Sequence, residues 1–113
     1  MISKKYRFHG YGSLNYLHRN GAAVRGKGMA AKFAPNVRRD LPRFAVVVSK
    51  KVLKSAVKRN RLRRRIFEIV RHYIRPDSPS IDVMITVFTP ELLDVEHQKL
   101  KTDVEALLKL SGL

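Results

Sequence analysis

The sequence predicts one α/β domain, more closely an α+β two-layer sandwich in which helices pack on a small sheet, and three observations favour it. Two apolar, mostly β-branched runs at residues 44–48 and 81–89 have the composition and length of strands. Between them apolar residues recur at helical spacing, and a second amphipathic stretch closes the chain. The 113 residues, 44% of them hydrophobic, suffice for a single domain over 1–113, with no repeat or linker to divide it.

The chain begins with residues 1–12, which predict a basic, extended N-terminal arm. Its aromatic residues stand among basic ones, and two alternatives are open for them. They either stack on nucleic-acid bases or pack the arm against the body of the domain. These aromatic residues are Tyr6, Phe8 and Tyr11.

A short helix and the strands follow the arm. Ser13 is a suitable N-cap for a helix that ends before Gly21. The Gly- and Ala-rich residues 22–34 weakly predict one strand. The run at 44–48 is almost uniformly apolar, which predicts a central strand covered on both faces, and the run at 81–89 should pair with it.

Two longer helices complete the prediction. Ser55 can cap the first of them and Pro76 ends it. The closing helix has acidic residues early and a lysine late, as the helix dipole favours, and His97 lies at the boundary of its apolar face. The buried stripe predicted for the first of the two helices comprises Leu62, Ile66, Ile69, Val70 and Tyr73.

The charge of the chain points to an anionic partner. The sequence has 24 Lys and Arg against 9 Asp and Glu, a net charge of +15, and residues 1–75 hold all but three of the basic side chains. Self-repulsion on this scale destabilises a compact domain unless an anionic partner compensates, and nucleic acid is the commonest such partner. An anionic membrane surface is less favoured, because it typically binds a lone basic amphipathic helix, whereas this chain also has predicted strands and a core. The absence of cysteine excludes a disulfide framework, and no apolar run is long enough to span a membrane, so we expect a cytoplasmic protein.

The basic residues concentrate in residues 49–65, SKKVLKSAVKRNRLRRR, which contain no acid. A solvated helix face would alternate signs, whereas this run places like charges four residues apart. Phosphates near the helix N-terminus would offset that repulsion, so the run predicts an RNA-binding surface. The candidate RNA-binding residues are Lys50, Lys51, Lys54, Lys58, Arg59, Asn60, Arg61, Arg63, Arg64 and Arg65.

A helical wheel separates the arginines of this run. Arg59 falls within the apolar arc, which predicts that its guanidinium lies along the domain and binds loop carbonyls. Arg61 and Arg64 fall on the other side, so they should point outward.

Residues 44–67, FAVVVSKKVLKSAVKRNRLRRRIF, resemble the protein component of bacterial ribonuclease P. That family joins a strand ending in Ser-Lys-Lys to a helix opening with Arg-Asn-Arg, here Ser49-Lys50-Lys51 and Arg59-Asn60-Arg61. The short first helix, the late strand and the closing helix also agree, so the resemblance covers essentially the whole chain.

The resemblance implies a small mixed sheet with three helices and a left-handed βαβ crossover, a hand that is rare in general. It also implies that a ribonuclease P catalytic RNA carries the chemistry, with Mg²⁺ acting through that RNA. The protein would bind the RNA through the Arg59 helix and contact the 5′ leader of precursor tRNA between the first helix and the sheet. The residues expected in this leader cleft are Leu14, His18, Lys32 and Phe33.

No catalytic site is expected in the chain itself, nor a small-molecule substrate or a membrane partner. Its four histidines are scattered, and Asp77 and Asp82 are weak evidence for a metal. The alternative function is that of a structural RNA-binding protein, such as a small ribosomal protein. A helix-turn-helix DNA binder is less favoured, because no helix closely precedes the basic one.

Overall fold

The computed structural model describes residues 6–8, 11–36, 40–75 and 77–113, and it arranges them as a four-stranded sheet with three α-helices. The α+β class predicted from the sequence is confirmed. In chain order the elements are α1 (Tyr11–Asn20), β1 (Ala22–Arg25), β2 (Met29–Pro35), β3 (Arg43–Val47), α2 (Ala56–Arg71), β4 (Ile81–Val87), a short 3-10 helix (Pro90–Leu93) and α3 (His97–Leu110).

The two apolar runs form β3 and β4, which are parallel neighbours connected through α2, with Phe44 opposite Val83. Their predicted pairing is confirmed. The strand order is β1-β2-β4-β3 and the other pairings are antiparallel, so the sheet is mixed. β3 therefore lies at the edge of the sheet and is not the central strand predicted. β3 is almost uniformly apolar because both of its faces are buried. Side-chain polarity does not depend on whether one or both edges of a strand are paired, so the sequence does not reveal an edge strand.

Residues 22–34 form a hairpin of two strands, β1 and β2, where the sequence predicted one. The turn closes through a 2.8 Å hydrogen bond from the Gly26 N–H to the Met29 carbonyl. Gly28 has a φ of +71°, a left-handed conformation that glycine adopts without steric cost. A Cβ at this position would lie 2.6 Å from the Thr89 side chain. Gly26 and Gly28, which made the sequence pattern of a single strand weak, thus form the turn between β1 and β2.

Alternation along the strands gives the sheet two different faces. One face packs against α2 and α3 and forms the main core, whereas the other carries a smaller cluster beneath α1. The strand residues of the main core include Met29, Ala31, Phe44, Val46, Ile81, Val83, Ile85 and Val87. The cluster beneath α1 comprises Phe8, Leu17, Ala34, Ala45 and Met84.

The described part of the arm packs on the domain. The Phe8 N–H donates a 3.0 Å hydrogen bond to the Phe44 carbonyl of β3, and the Phe8 side chain is buried. Tyr6 packs against the main core. Tyr6 and Phe8 therefore pack the arm against the body of the domain, which is one of the two alternatives that the sequence left open. The Tyr11 side chain lies outside the described residues, as do residues 1–5, 9 and 10 of the predicted arm. The backbone of residues 11 and 12 belongs to α1 and not to an extended arm.

The helix ends differ in detail from the prediction. α1 starts ahead of Ser13, whereas Ser55 does cap α2, accepting a 3.3 Å hydrogen bond from a first-turn N–H. α2 ends at Arg71, so Tyr73, predicted as part of its buried stripe, lies beyond the helix. Pro76, predicted to end the helix, lies outside the described residues. The closing helix is divided into the 3-10 helix and α3, which leaves His97 exposed at the start of α3. None of the described helices is long and apolar enough to cross a membrane.

Asp82 is held by neighbouring side chains. Arg43 donates to both of its carboxylate oxygens, at 2.9 and 2.8 Å, and Asn36 Nδ2 donates to Oδ1 at 3.0 Å. The Arg43 guanidinium also lies over the Phe8 ring, 5.1 Å from its centroid. Asp82 of β4 thus binds β3 and the residue after β2, and its partner Arg43 contacts the arm. Asp77 is exposed, so the two carboxylates play different parts in the fold.

Candidate nucleic-acid interface

The basic run occupies the loop after β3 and the first turns of α2, and most of its side chains are exposed. The loop folds back through hydrogen bonds of 3.1 Å from the Val52 and Leu53 N–H groups to the Ser49 carbonyl. No acidic residue lies in the first turn of α2, so no side chain there complements the positive end of the helix dipole. The exposed residues among the RNA-binding candidates, which we call the basic face, are Lys50, Lys51, Lys54, Lys58, Asn60, Arg61 and Arg64.

Arg59 is turned into the fold. Its Nη1 donates to the carbonyls of Leu53 and Lys54, at 2.8 and 2.9 Å. The helical wheel predicted this orientation, and the exposure of Arg61 and Arg64 agrees with it as well. Arg59 therefore fixes the loop from which part of the basic face projects.

Arg65 is also turned into the fold, which the sequence did not indicate. Its guanidinium donates to the carbonyls of Leu92, Leu93 and Val95, at 3.2, 2.5 and 2.5 Å. These carbonyls lie where the closing helix is interrupted, so they need donors from elsewhere. We therefore place Arg65 among the residues that hold the fold and leave it out of the basic face.

Arg63 is half-buried beside the edge of β3, in a hollow of about 370 Å³ that Val46 and Phe67 help to line. Its Nη1 donates to Asn60 Oδ1 at 2.6 Å. Burial, and then the nearby charge of Arg59, lower the pKa of the Arg63 guanidinium. Both effects disfavour the charged form, so an anion bound beside Arg63 would offset them.

We expect Arg59→Ala and Arg65→Ala each to lower the free energy of unfolding. Each change removes the donor from part-buried carbonyls, that of Leu53 for Arg59 and those of residues 92, 93 and 95 for Arg65. An unsatisfied polar group of this kind costs about 1–3 kcal/mol. Arg61→Ala is the matched control, because it removes an exposed arginine from the same helix. Urea unfolding of the three variants measures the effect. Equal unfolding midpoints in all three would show that the carbonyl bonds do not stabilise the fold.

On the other face of the sheet, α1 leaves open a cleft of about 590 Å³. Leu14 and His18 of α1 form one wall of it. Lys32 lies on β2 within the cleft, and its Nζ donates to the His18 carbonyl. Three of the four predicted cleft residues are therefore brought together. The other described lining residues are Asn15, Ala23, Arg25, Ala30, Val47, Met84, Thr86 and Phe88.

Phe33, the fourth predicted cleft residue, lies on the opposite face of the sheet and packs against the main core. Side chains alternate along β2, so Ala30 and Lys32 face the cleft while Ala31 and Phe33 face α2 and α3. The prediction was wrong because the hairpin was not foreseen. Without its register, the sequence does not show which set of alternate residues faces α1.

Sequence reasoning missed two cleft residues that suit nucleic acid, Arg25 and Phe88. Phe88 is two residues from Thr86 and four from Met84, so all three side chains lie on the same face of the strand run. The alternation of side chains along this run could therefore have placed Phe88 in the cleft. Arg25 lies opposite Ala30 in the β1–β2 register, which becomes visible only with the hairpin.

The cleft and the basic face lie on opposite sides of the sheet and approach each other around the edge of β3. Leu14 and Val47 line the cleft and also the hollow that contains Arg63. A flexible ligand could therefore pass from one surface to the other along this edge.

The histidines stand apart from one another. His18 lines the cleft, His72 caps the C-terminus of α2 and His97 begins α3, while His9 lies outside the described residues. Among the residues that the structure describes, no group of three or more His, Asp or Glu side chains could hold a metal ion.

These surfaces and this topology define a class of small, basic α+β proteins that solved structures also represent. The RNase P protein of Staphylococcus aureus, determined at 2.0 Å, matches with a TM-score of 0.81 and 22% identity, covering 93% of this chain and 94% of that one. The RNase P protein from Thermotoga maritima in complex with 1-(4-fluorophenyl)-2-thiourea gives 0.74 and 22%, covering 86% and 92%. The chain thus has the fold of bacterial RNase P proteins.

Sequence comparison identifies the family. The family model described as Ribonuclease P matches residues 2–111. The ribonuclease P protein component of Chloroflexus aurantiacus (strain J-10-fl) is 33% identical over 112 residues, which cover 99% of this chain and 82% of that protein. The same component of Thermus brockianus is 38% identical over 95 residues, covering 84% and 54%. The chain belongs to the Ribonuclease P protein family.

Proposed function

We propose that this chain is the protein subunit of a ribonuclease P that matures the 5′ ends of tRNA in the cytoplasm. It binds the catalytic RNA through the basic face and the 5′ leader of precursor tRNA in the cleft. The RNA, with Mg²⁺ that it holds, cleaves the precursor. The observation that carries this proposal is the exposed basic face at the start of α2.

The basic face is unfavourable without an anion. Its lysines and arginines repel one another, and those in the first turns of α2 also lie at the positive end of the helix dipole. RNA phosphates would reverse the sign of both effects. Arg61 and Arg64 add guanidinium groups, which bind phosphate oxygens through paired hydrogen bonds.

The cleft suits a single strand of RNA. The charged side chains among its described lining residues, Arg25 and Lys32, are basic and can bind phosphates. The floor of the cleft is apolar and carries small side chains, those of Ala23, Ala30 and Val47, on which unpaired bases can pack. Contacts of this kind favour precursor over mature tRNA with little dependence on leader sequence.

A structural RNA-binding protein, such as a small ribosomal protein, is the alternative. Size and charge alone are compatible with both functions. Membership of the Ribonuclease P family and the cleft beside α1 favour the ribonuclease P subunit.

Reconstitution tests the proposal. Precursor tRNA is incubated in Mg²⁺ with the purified chain, with the RNase P RNA of Chloroflexus aurantiacus, and with both together. We expect no cleavage by the chain alone and faster 5′ cleavage by the mixture than by the RNA. Site-specific cleavage by RNA-free, repurified protein would contradict the assignment of chemistry to the RNA. An unchanged rate in the mixture would contradict the assignment as its subunit.

A further inference from the structure

Phe88 is an exposed aromatic residue placed at the cleft by the backbone. Its N–H donates a 2.8 Å hydrogen bond to the Gly28 carbonyl, so the chain stays paired with the hairpin turn just beyond β4. The residue keeps 53% of its surface exposed and lines the cleft. Phe88 therefore offers an apolar, aromatic surface to a ligand bound in the cleft.

The Arg25 guanidinium lies over this ring. Its carbon atom lies 6.0 Å from the Phe88 ring centroid, at the outer range of a cation–π contact. The exposed fraction of Phe88 is measured with Arg25 in place, so much of the residue remains free. An aromatic surface and a cation are therefore presented together at one end of the cleft.

The floor next to this pair is low. Arg25 lies opposite Ala30, Ala30 opposite Thr86, and Thr86 opposite Val47, which makes one row across all four strands. Small side chains in this row leave room above the sheet for a flat group. Phe88 supplies the one benzene ring among the described residues that line the cleft.

We propose that Phe88 and Arg25 bind one unpaired nucleotide of the 5′ leader, with its base stacked on the Phe88 ring and its phosphate held by Arg25. This inference rests on the proposed function of the cleft. Any base can stack on an aromatic ring, so the site binds one nucleotide without base specificity. Loss of such a stack weakens binding by roughly five- to a hundredfold.

The test uses holoenzyme assembled with wild-type chain, Phe88→Leu, Phe88→Tyr, or Tyr16→Leu as the matched control. Tyr16 is an aromatic residue of α1 that is 58% exposed and is not among the residues lining the cleft. Dissociation constants are measured for mature tRNA, for precursor tRNA, and for precursors in which each leader nucleotide in turn is abasic.

We expect Phe88→Leu to weaken precursor binding by roughly five- to a hundredfold, while mature tRNA binding stays unchanged. Phe88→Tyr, which keeps the ring, and Tyr16→Leu should behave as wild type. One abasic position should weaken the wild-type complex by a similar factor and leave the Phe88→Leu complex unaffected.

Three outcomes would overturn the inference. If no abasic position weakens the wild-type complex, or if each weakens wild type and Phe88→Leu equally, no base stacks on Phe88, although the cleft could still bind the leader backbone. If wild-type holoenzyme binds precursor and mature tRNA equally, the proposed leader site fails and this inference fails with it.

Discussion

Replacing Arg61 and Arg64 together with alanine is expected to weaken binding of the chain to RNase P RNA by roughly ten- to a hundredfold. Both side chains are exposed on the basic face and hold no bond in the fold, so each loss removes phosphate contacts without a folding cost. The dependence of log Kd on log salt should also fall by roughly one unit for each lost phosphate contact. Titration of the RNA at several salt concentrations measures both quantities.

The matched control is the double exchange of Arg71 and Arg75 for alanine. It removes the same charge from exposed residues at and beyond the other end of α2. Because Arg71 already pairs with Glu68 at 3.0 Å, we expect a much smaller effect on RNA binding. An equal loss of affinity in the two double variants would show that total charge, and not the basic face, determines binding.

The second large effect is expected from Leu14→Glu, which places a carboxylate in the wall of the cleft. It should repel leader phosphates and remove an apolar contact, so the ratio of the mature to the precursor tRNA Kd should fall by roughly tenfold. The affinity for RNase P RNA should stay close to that of wild type, because the basic face is unaltered. Both constants are measured with holoenzyme at fixed salt.

Tyr16→Glu controls for the added charge. Tyr16 is on the same helix as Leu14 and is exposed outside the lining of the cleft, so its exchange should preserve the preference for precursor. If the two glutamate variants lose this preference equally, or if neither does, the cleft is not the leader site.

The sequence predicted the junction of β3 and α2 well because its signals are local. The β-branched run, the Ser55 cap and the helical spacing each act within a few residues. The wheel placed Arg59 correctly for the same reason: its carbonyl partners on Leu53 and Lys54 lie only a few residues away.

Features that depend on distant partners were not predictable in this way. Arg65 stands at the flank of the apolar arc, and its role follows from carbonyls 27 to 30 residues further along the chain. The prediction for Phe33 was wrong because the face on which a strand residue lies depends on register, which the turn at Gly26 and Gly28 sets. The prediction of a central β3 was wrong because the apolarity of a strand reflects the burial of its faces and not the pairing of its edges.

The proposed division of the chain into two RNA-binding surfaces is tested most directly by one ratio. The mature and precursor tRNA dissociation constants are measured for holoenzyme containing the Arg61→Ala, Arg64→Ala double variant, at protein concentrations that saturate the RNA. We predict the wild-type ratio, since the cleft formed by α1 and the sheet is intact in this variant. A ratio reduced as far as in Leu14→Glu holoenzyme would contradict the separation of leader binding from catalytic RNA binding.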